Sequence, residues 1–464
     1  MKNNTPVRLI ALVMTVILVA FSFAACIRTE VSINGISLDK YTIVYDKDDT
    51  DYSKRAAQYI KDKIKEITDI DLPLVEASTA VAEHEIVVGE TDREISKTLD
   101  ADCEGVEFAI FANDEHIALE GDYFVIAAAA YYFVKTYITG YNFVSEVPKE
   151  VSVHEPIVED AKNFILLIGD GMGYEHTQLF DAMDVATEGD LAYSDGEDFF
   201  YGYMLPSQGQ AITNSLSGLT DSAAAGTALA TGYKTYNEHV GVDKDGKNLT
   251  SLTELAGSKG MSTAVMSTED ENGATPSTFS AHAPNRDDNT VLVTSRQELV
   301  KKYGTEIVCG YDYYDVFFMN DMLERPIVNT LEKLNANSKG FFLMFEEAHI
   351  DKHSHQHDAD KTFNALVRFN QAIGRFMEFA FYNPDTFVLI TADHETGGLN
   401  VEDGSYSYTA EAHTAVNVPV FAYGKGSALF NGKTVENTQI AKTFASFMGE
   451  GSFGDPDQPP SLAN

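Results

Sequence analysis

Residues 164–173 read Phe-Ile-Leu-Leu-Ile-Gly-Asp-Gly-Met-Gly, an apolar run that ends in a glycine-rich turn around Asp170. Similar apolar runs recur along the chain at Ser262–Met266, Phe341–Phe345, Thr386–Ile390 and Val418–Ala422. Near-continuous apolar runs of this length, separated by helical stretches, are typical of parallel strands that are covered by helices on both faces. The sequence therefore predicts an α/β fold with a doubly wound, mostly parallel sheet.

Acidic residues follow three of these predicted strands directly, at Asp170, Glu346 and Asp393. In open α/β sheets, ligands bind beyond the carboxyl ends of the strands. We therefore expect the three carboxylates to converge on one edge of the sheet and to form part of a functional site there.

A second candidate element begins at Thr220-Asp221-Ser222 and continues as an alanine-rich segment to Gly232. This composition predicts a helix with Ser222 at its N-terminus, where free N–H groups and the helix dipole favour a negative charge. A serine in this place is consistent with a nucleophile that receives an anionic substrate. It is equally consistent with a helix N-cap, and the segment alone does not separate the two interpretations.

The part of the chain before residue 156 predicts a separate small α/β unit. It combines a strand at Tyr41–Tyr45, an amphipathic helix from Asp51 to Ile70 and an apolar helix from Tyr123 to Ile138. We expect an accessory domain over residues 27–155, a catalytic domain over 156–450 and a flexible tail over 451–464. The accessory segment is weakly similar to the non-catalytic α/β domain of some bacterial glycosidases, through Ile86–Gly89 and the stretch from Gly121 to Gly140.

Residues 1–26 have the pattern of a signal peptide, with Lys2 and Arg8 ahead of a run without charge that ends in small residues. The terminal Ser-Phe-Ala-Ala-Cys26 resembles a bacterial lipobox, in which Cys26 is the lipid-attachment site; simple cleavage is the alternative. An exported protein is expected, either lipid-anchored at the cell surface or released outside the cytoplasm. Only Cys103 and Cys309 follow Cys26, so no disulfide framework is predicted.

The net charge of −38 is distributed along the whole chain. No basic stripe is available to neutralise phosphates along a nucleic acid, so nucleic acid is excluded as an expected partner. The charge also sets a requirement: any anionic substrate needs a local source of positive charge.

Several motifs together resemble the bacterial alkaline phosphatases. They are Asp-Gly-Met-Gly at 170–173, Thr-Asp-Ser-Ala-Ala-Ala at 220–225 and Ala-Thr-Gly-Tyr-Lys-Thr-Tyr-Asn at 230–237, and the similarity continues in order to His413. The resemblance covers most of residues 160–448. It implies hydrolysis of small phosphomonoesters through a phosphoserine on Ser222, and it also implies a homodimer.

In that family two zinc ions and one magnesium ion form the site, and the resemblance implies their ligands. The first zinc would be held by Asp351, His355 and His413; the second by Ser222, Asp393 and His394; the magnesium by Thr275 and Glu346; and Asp170 would bridge the second zinc and the magnesium. Arg286 matches the arginine that clamps phosphate, and Lys352 is expected to contact the substrate. Such mixed Asp and His ligands suit zinc, whereas oxygen ligands suit magnesium.

Three features of these assignments remain open. Glu347 stands beside Glu346 and could exchange roles with it. Gly273 occupies the position, two before Thr275, where the family usually has a histidine or aspartate near the magnesium. The segment that contains Asp351 is rich in histidine and could instead be a solvated loop.

Three alternative functions differ in what they require of the sequence. A phosphodiesterase of the same superfamily is the main alternative. A sulfatase would need an arginine four residues after the nucleophile, where this chain has Gly226. A surface glycan-binding lipoprotein with a structural phosphatase-like half would bind almost no zinc, so metal analysis separates it from an enzyme.

Overall fold

A computed structural model describes residues 31–46, 51–99, 103–183, 199–310, 321–402 and 404–463. The predicted signal peptide and Cys26 lie outside the described residues. Within the described part of the chain, no helix is both long enough and apolar enough to cross a bilayer.

The N-terminal unit is built around a six-stranded sheet in the order β4-β3-β5-β7-β6-β9, and a small three-stranded sheet, β2-β1-β8, lies beside it. Its strands are β1 (Val31–Ile33), β2 (Ile36–Ser37), β3 (Tyr41–Tyr45), β4 (Leu74–Glu76), β5 (His84–Val88), β6 (Phe108–Ala112), β7 (Ile117–Glu120), β8 (Phe143–Ser145) and β9 (Ser152–His154). Its helices are α1 (Asp51–Thr68), α2 (Glu94–Thr98) and α3 (Ile126–Tyr137). Because β9 pairs with β6, the connection to the next unit begins after residue 154.

The larger unit is built around an eight-stranded sheet in the order β13-β12-β14-β10-β15-β20-β11-β21. Two short hairpins, β16 with β19 and β17 with β18, extend from it. The strands are β10 (Asn163–Gly169), β11 (Ser207–Ile212), β12 (Ser262–Ser267), β13 (Glu306–Val308), β14 (Phe341–Glu347), β15 (Thr386–Thr391), β16 (Glu395–Thr396), β17 (Leu399–Glu402), β18 (Ser405–Tyr408), β19 (His413–Thr414), β20 (Val418–Tyr423) and β21 (Thr434–Glu436).

Helices cover both faces of this sheet, as the apolar strands require. They are α4 (Tyr174–Thr177), α5 (Leu179–Ala182), α6 (Ser222–Thr231), α7 (Leu252–Ser258), α8 (Ala274–Ser280), α9 (Asn289–Tyr303), α10 (Asp321–Asn335), α11 (His349–Ser354), α12 (Ala359–Tyr382) and α13 (Asn437–Phe447). The predicted doubly wound α/β architecture, with a small α/β unit before it, is confirmed.

One strand differs in direction from the expectation. Strands β13, β12, β14, β10 and β15 run parallel, but β20 is antiparallel to β15, with Thr391 opposite Val420. The chain passes from β15 to β20 through the two hairpins and without a helix, which suits an antiparallel pair because only parallel neighbours need a crossover. An apolar run indicates that both faces of a strand are buried, but it carries no information on direction.

The two units share one continuous apolar core. The Phe124 ring packs 5.1 Å from Tyr201 and 5.8 Å from Phe381, measured between ring centroids. At the edge of this contact, Arg55 Nε of α1 lies 2.8 Å from Glu378 Oε1 of α12. The N-terminal unit is therefore packed on the long helix α12.

Residues 455–462, expected as part of a flexible tail, instead run along helix α13. The Lys442 ammonium of α13 donates hydrogen bonds to the carbonyls of Asp455, Gln458 and Pro459. Lys442 is 5% exposed, and a buried ammonium needs such acceptors. The packing of the segment therefore follows from the burial of a charge, which its composition did not indicate.

Candidate metal centre and nucleophile

The carboxyl edge of the large sheet gathers the predicted acidic residues. Strand β10 lies between β14 and β15, so that Ile168 stands opposite Glu346 on one side and Thr391 on the other. Asp170 and Asp393 follow the two strand ends within two residues of the last paired positions. The expected convergence of the three carboxylates is thus present in the fold.

The turn after β10 depends on a glycine at 171. Gly171 has a φ of +75°, which favours glycine, and a Cβ there would lie 2.8 Å from the Asp351 Cα. Since no side chain fits in that gap, helix α11 can approach the turn closely. This approach brings Asp351 to the same site as Asp170.

Three buried side chains surround the Nε2 atom of His394 and form a group of four with it. Asp393 Oδ2 and Ser222 Oγ each lie 3.2 Å from this nitrogen, and Asp170 Oδ1 lies 3.5 Å from it. All four side chains are at least nine-tenths buried. The other oxygen of Asp393 accepts the backbone N–H groups of Gly171 and His394, which fixes the orientation of its carboxylate.

Ser222 is the first residue of helix α6 and is not its cap. The N-cap is Asp221, whose carboxylate accepts the Ala224 N–H at 2.9 Å. The helix ends at Gly232, in the left-handed conformation that terminates many helices. Because Asp221 performs the capping, the Ser222 hydroxyl faces His394 at the N-terminus of the helix, and the N-cap interpretation of Ser222 does not apply.

A second group joins Asp351 with two histidines. Asp351 Oδ1 lies 3.4 Å from His355 Nε2 and 3.6 Å from His413 Nε2. The Nδ1 atoms of the two rings lie 2.9 and 2.8 Å from the carbonyls of Glu411 and Thr220, respectively. Since a carbonyl only accepts, each Nδ1 carries a proton, which leaves Nε2 as the ring nitrogen that can bind a metal.

The neighbouring histidines of this segment have other contacts. His349 Nδ1 lies 3.1 Å from Glu347 Oε1, and His357 Nε2 lies 2.7 Å from the Ala410 carbonyl. His355 alone of these three faces Asp351 and His413. The segment is therefore an ordered helical turn and not a solvated loop.

An oxygen-rich pocket lies beside Asp170. Glu346 Oε2 accepts a hydrogen bond from Ser267 Oγ. Among the described residues, Glu346 Oε1 and Thr275 Oγ1 have no hydrogen-bond partner within 3.5 Å, although both side chains are fully buried and lie close to each other. Buried polar atoms without partners cost about 1–3 kcal/mol each, so a cation would be favoured at this place.

Strand alternation separates Glu346 from Glu347. Glu347 points to the opposite face, where its Oε1 accepts the His349 N–H at 3.0 Å and lies 3.7 Å from an Arg368 guanidinium nitrogen. Its pKa is lowered overall, because Arg368 and His349 outweigh its burial, the largest single effect. Glu347 is thus a structural anion, and Glu346 is the residue that faces the site.

A family model described as alkaline phosphatase matches residues 161–318 and 319–411. The chain belongs to the alkaline phosphatase family. The resemblance seen in the motifs is confirmed by this match, which spans more than half of the sequence and includes every predicted metal ligand of the large unit except His413.

Curated alkaline phosphatases match the same region. Alkaline phosphatase 4 of Bacillus subtilis is 30% identical over 305 residues, which cover 54% of this chain and 65% of the relative. Alkaline phosphatase 3 of the same species is 27% identical over 345 residues, covering 63% of this chain and 72% of the relative. The match to the first of these relatives thus leaves about a third of its length uncovered.

Solved structures of alkaline phosphatases share the fold. The enzyme of the Antarctic bacterium TAB5 superposes with a TM-score of 0.56 at 24% identity, covering 63% of this chain and 99% of that one. The cold-active enzyme of a psychrophilic Shewanella gives a TM-score of 0.54 at 22% identity, covering 61% and 99%. At this identity the two structures support the fold alone.

Repulsion among the buried carboxylates of the site favours the binding of cations. Burial, followed by the charges of Asp393 and Asp351, raises the pKa of Asp170 well above its usual range. Burial also raises the pKa of Glu346 to about 8, with Glu269 adding to the rise. Buried carboxylates that repel one another are stable as anions only beside positive charge. The donor set therefore fits divalent ions, with Asp351 common to two groups of potential ligands: Asp351, His355 and His413, and Asp170, Asp351 and His394.

The two predicted cationic residues have different surroundings. Arg286 lies 3.4 Å from Asp221 Oδ2, and its side chain is 33% exposed, so the guanidinium is open to a ligand near Ser222. Lys352 Nζ instead lies 2.8 Å from Glu269 Oε1. Lys352 is therefore held by a carboxylate next to the site, and its contact with substrate stays a prediction.

Sequence reasoning missed two residues that lie in contact with the site. Thr396 Oγ1 donates to Asp351 Oδ1 at 2.5 Å and lies 3.2 Å from His394 Nδ1, so it links the two ligand groups. Glu269 follows strand β12 and pairs with Lys352. Its position after a strand end is the same signal that identified Asp170, but Glu269 lies outside the alkaline phosphatase motifs.

Proposed function

We propose that this chain is a metal-dependent phosphomonoester hydrolase that forms a phosphoserine on Ser222. The observation that carries the proposal is the buried Ser222 hydroxyl, 3.2 Å from His394 Nε2 at a helix N-terminus and flanked by both groups of potential ligands. Its relatives named alkaline phosphatases support the same activity.

Two zinc ions and one magnesium ion are proposed as cofactors. Asp351, His355 and His413 would hold one zinc; Asp170, Ser222, Asp393 and His394 the other; and Asp170, Thr275 and Glu346 the magnesium. Bound there, the ions would lower the pKa values of the serine hydroxyl and of water, and neutralise phosphoryl oxygens. A variant of the TAB5 alkaline phosphatase has been solved with Mg bound in its M3 site.

The chain's own residues define the two steps. Arg286 would hold two phosphoryl oxygens with its planar guanidinium, beside the N–H groups at the start of α6. Ser222 Oγ then bonds to phosphorus as the bond from phosphorus to the leaving oxygen breaks, and the leaving group takes a proton. Water hydrolyses the phosphoserine, which releases phosphate and restores the serine hydroxyl.

The test compares Ser222→Ala with the control Ser258→Ala on an aryl phosphate. Ser258 is exposed at the end of α7, away from the site. Loss of a covalent nucleophile is expected to lower kcat by at least about 100-fold, whereas the control keeps the wild-type rate. Activity of Ser222→Ala above a hundredth of wild type would refute the role of Ser222.

A substrate panel separates the main alternative. The proposal expects faster hydrolysis of an aryl phosphomonoester than of the matching diester. The opposite order would assign the chain as a phosphodiesterase of the same superfamily. The sulfatase alternative is disfavoured by packing, because a Cβ on Gly226 would lie 2.8 Å from Thr278 Oγ1, which leaves no room for an arginine.

The remaining assignments are also proposals. Residues 27–155 would form the accessory domain and residues 156–450 the catalytic domain. The protein would be exported and anchored through a lipid on Cys26, and it would act as a homodimer on small phosphomonoesters. Mass spectrometry of the mature N-terminus tests the anchor: a lipidated Cys26 supports it, and an unmodified terminus contradicts it.

A further inference from the structure

The space beside Gly273 is filled by a side chain from another segment. Gly273 is the N-cap of α8 and carries no side chain, and its φ of −50° is open to any residue. A Cβ built there would lie 2.7 Å from Glu269 Cδ and 2.9 Å from Glu269 Cγ. The Glu269 carboxyl group therefore occupies the volume into which a side chain at 273 would project.

Three contacts hold Glu269 in this position. Its backbone N–H donates to Ser267 Oγ at 2.9 Å, and that hydroxyl donates in turn to Glu346. Its backbone carbonyl accepts the Gly310 N–H at 2.6 Å. Its Oε1 lies 2.8 Å from Lys352 Nζ. Glu269 is thus held in place through both its backbone and its side chain.

The Glu269 carboxylate lies at the start of α8, the helix that carries Thr275. Its backbone is joined to Glu346 through the Ser267 hydroxyl, so Glu269 lies next to the oxygen-rich pocket. Within the described chain, the buried Thr275 Oγ1 and Glu346 Oε1 of this pocket have no hydrogen-bond partner within 3.5 Å. Oxygen donors without partners, together with several carboxylates, form the environment that magnesium prefers.

We propose that Glu269 completes the magnesium site by placing its carboxylate beside Gly273 at the start of α8, with Lys352 as its positioning residue. The inference rests on the proposed function, because it takes the magnesium site of that function as given. It assigns a new participant from the segment after β12 to a site whose other members lie just after β10, in α8 and in β14.

Magnesium titration calorimetry on the zinc-loaded protein tests the proposal. Glu269→Gln is expected to weaken Mg²⁺ binding at least about ten-fold, as loss of a supporting carboxylate does at other metal sites. The matched control is Asp270→Asn, which removes one negative charge from the adjacent, exposed position and is expected to bind Mg²⁺ as wild type does. Zinc content is expected to stay the same in both variants.

A double variant tests whether a carboxylate is needed in the space beside Gly273. In Glu269→Ala the space beside Gly273 is vacated, so the double variant E269A/G273D is expected to recover most of the Mg²⁺ affinity lost in E269A. G273D alone would place its side chain against Glu269 and is expected to bind Mg²⁺ more weakly than wild type.

Different results would contradict the role of Glu269 and the three-ion centre itself. Wild-type Mg²⁺ affinity in Glu269→Gln would overturn the role of Glu269, and so would a folded, zinc-loaded double variant that binds no better than E269A. Zinc-loaded wild-type protein that binds no Mg²⁺ at all would instead overturn the three-ion centre of the proposed function.

Discussion

At the scale of single residues, the adjacent Glu346 and Glu347 have opposite electrostatic surroundings. Glu346 and Glu347 are both fully buried at the end of β14, but they face opposite sides of the sheet. Glu346 lies among other carboxylates, whereas Glu347 accepts hydrogen bonds and pairs with Arg368. The same residue type is therefore a source of repulsion at one position and of stability at the next.

This difference predicts that replacing each glutamate by the neutral glutamine changes the free energy of unfolding in different ways. In metal-free protein, Glu347→Gln should lower the free energy of unfolding by about 3 kcal/mol, because it removes the negative charge of a buried ion pair with Arg368. Glu346→Gln removes repulsion and should leave the free energy of unfolding unchanged or higher. Urea unfolding in the presence of a chelator measures both, and a larger loss for Glu346→Gln would contradict these assignments.

At the scale of elements, the sequence predicted those strands whose apolar residues are continuous. Phe341–Phe345 and Thr386–Ile390 were placed within two residues of the observed ends of β14 and β15. Strand β11 was missed because Ser-Gln-Gly-Gln-Ala-Ile has mostly polar side chains, which are tolerated near the sheet edge. Likewise, the direction of β20 depends on the connection before it, and the pattern of a strand contains no such information.

The site was predictable where motifs were contiguous and less so elsewhere. Asp170, Ser222 and His394 belong to short motifs at strand or helix ends, so their approach could be expected. Thr396 reaches the site through tertiary packing, and no local pattern marks it. Glu269 follows the end of strand β12, but it lies outside the motifs that identified the other site residues. The choice between Glu346 and Glu347 required the register of β14, which only the folded sheet provides.

An ion pair between two elements predicts a pH-dependent stability. His282 lies before α9, with Nε2 at 3.3 Å from Glu254 Oε2 of α7 and Nδ1 at 2.8 Å from the Gly241 carbonyl. Burial lowers the pKa of His282, but Glu254 outweighs this effect and the net pKa is raised. For Glu254, burial raises the pKa, but His282 outweighs it and the net pKa is lowered.

The sign of the effect follows from these directions. A raised histidine pKa gives stability that is complete below its usual value of about 6.5 and is lost as pH rises through the folded-state pKa. A lowered glutamate pKa gives stability that is lost only at acidic pH. Glu254→Gln, which keeps an acceptor for the helix cap, should therefore cost about 1.5 kcal/mol more at about pH 5.5 than at about pH 8.5. Equal losses at the two pH values would contradict the pair.

At the scale of the whole molecule, the strong negative charge and the anionic substrate are reconciled by the metal centre. The chain carries a net charge of −38, and Asp170, Glu346, Asp351 and Asp393 concentrate further negative charge at the sheet edge. Three divalent ions would exceed the charge of these four carboxylates, and Arg286 would add to the excess. A locally positive pocket on an acidic protein is the result.

The continuous core predicts that the two units unfold together. Phe124 of the N-terminal unit packs on Tyr201 and Phe381, and Arg55 pairs with Glu378. Differential scanning calorimetry should therefore record one transition for the mature protein. Arg55→Ala should shift that transition to lower temperature without dividing it, and two separate transitions in the wild-type protein would show that the units are independent.

The most direct test of the account is to find the phosphoryl group on the enzyme. Zinc- and magnesium-loaded protein is mixed with an aryl phosphate, quenched in acid during turnover and digested, and its peptides are analysed by mass spectrometry. We predict phosphoserine at Ser222 and none in Ser222→Ala. A wild-type enzyme that hydrolyses the substrate while Ser222 stays unmodified, or carries the phosphate on another residue, would contradict the central claim.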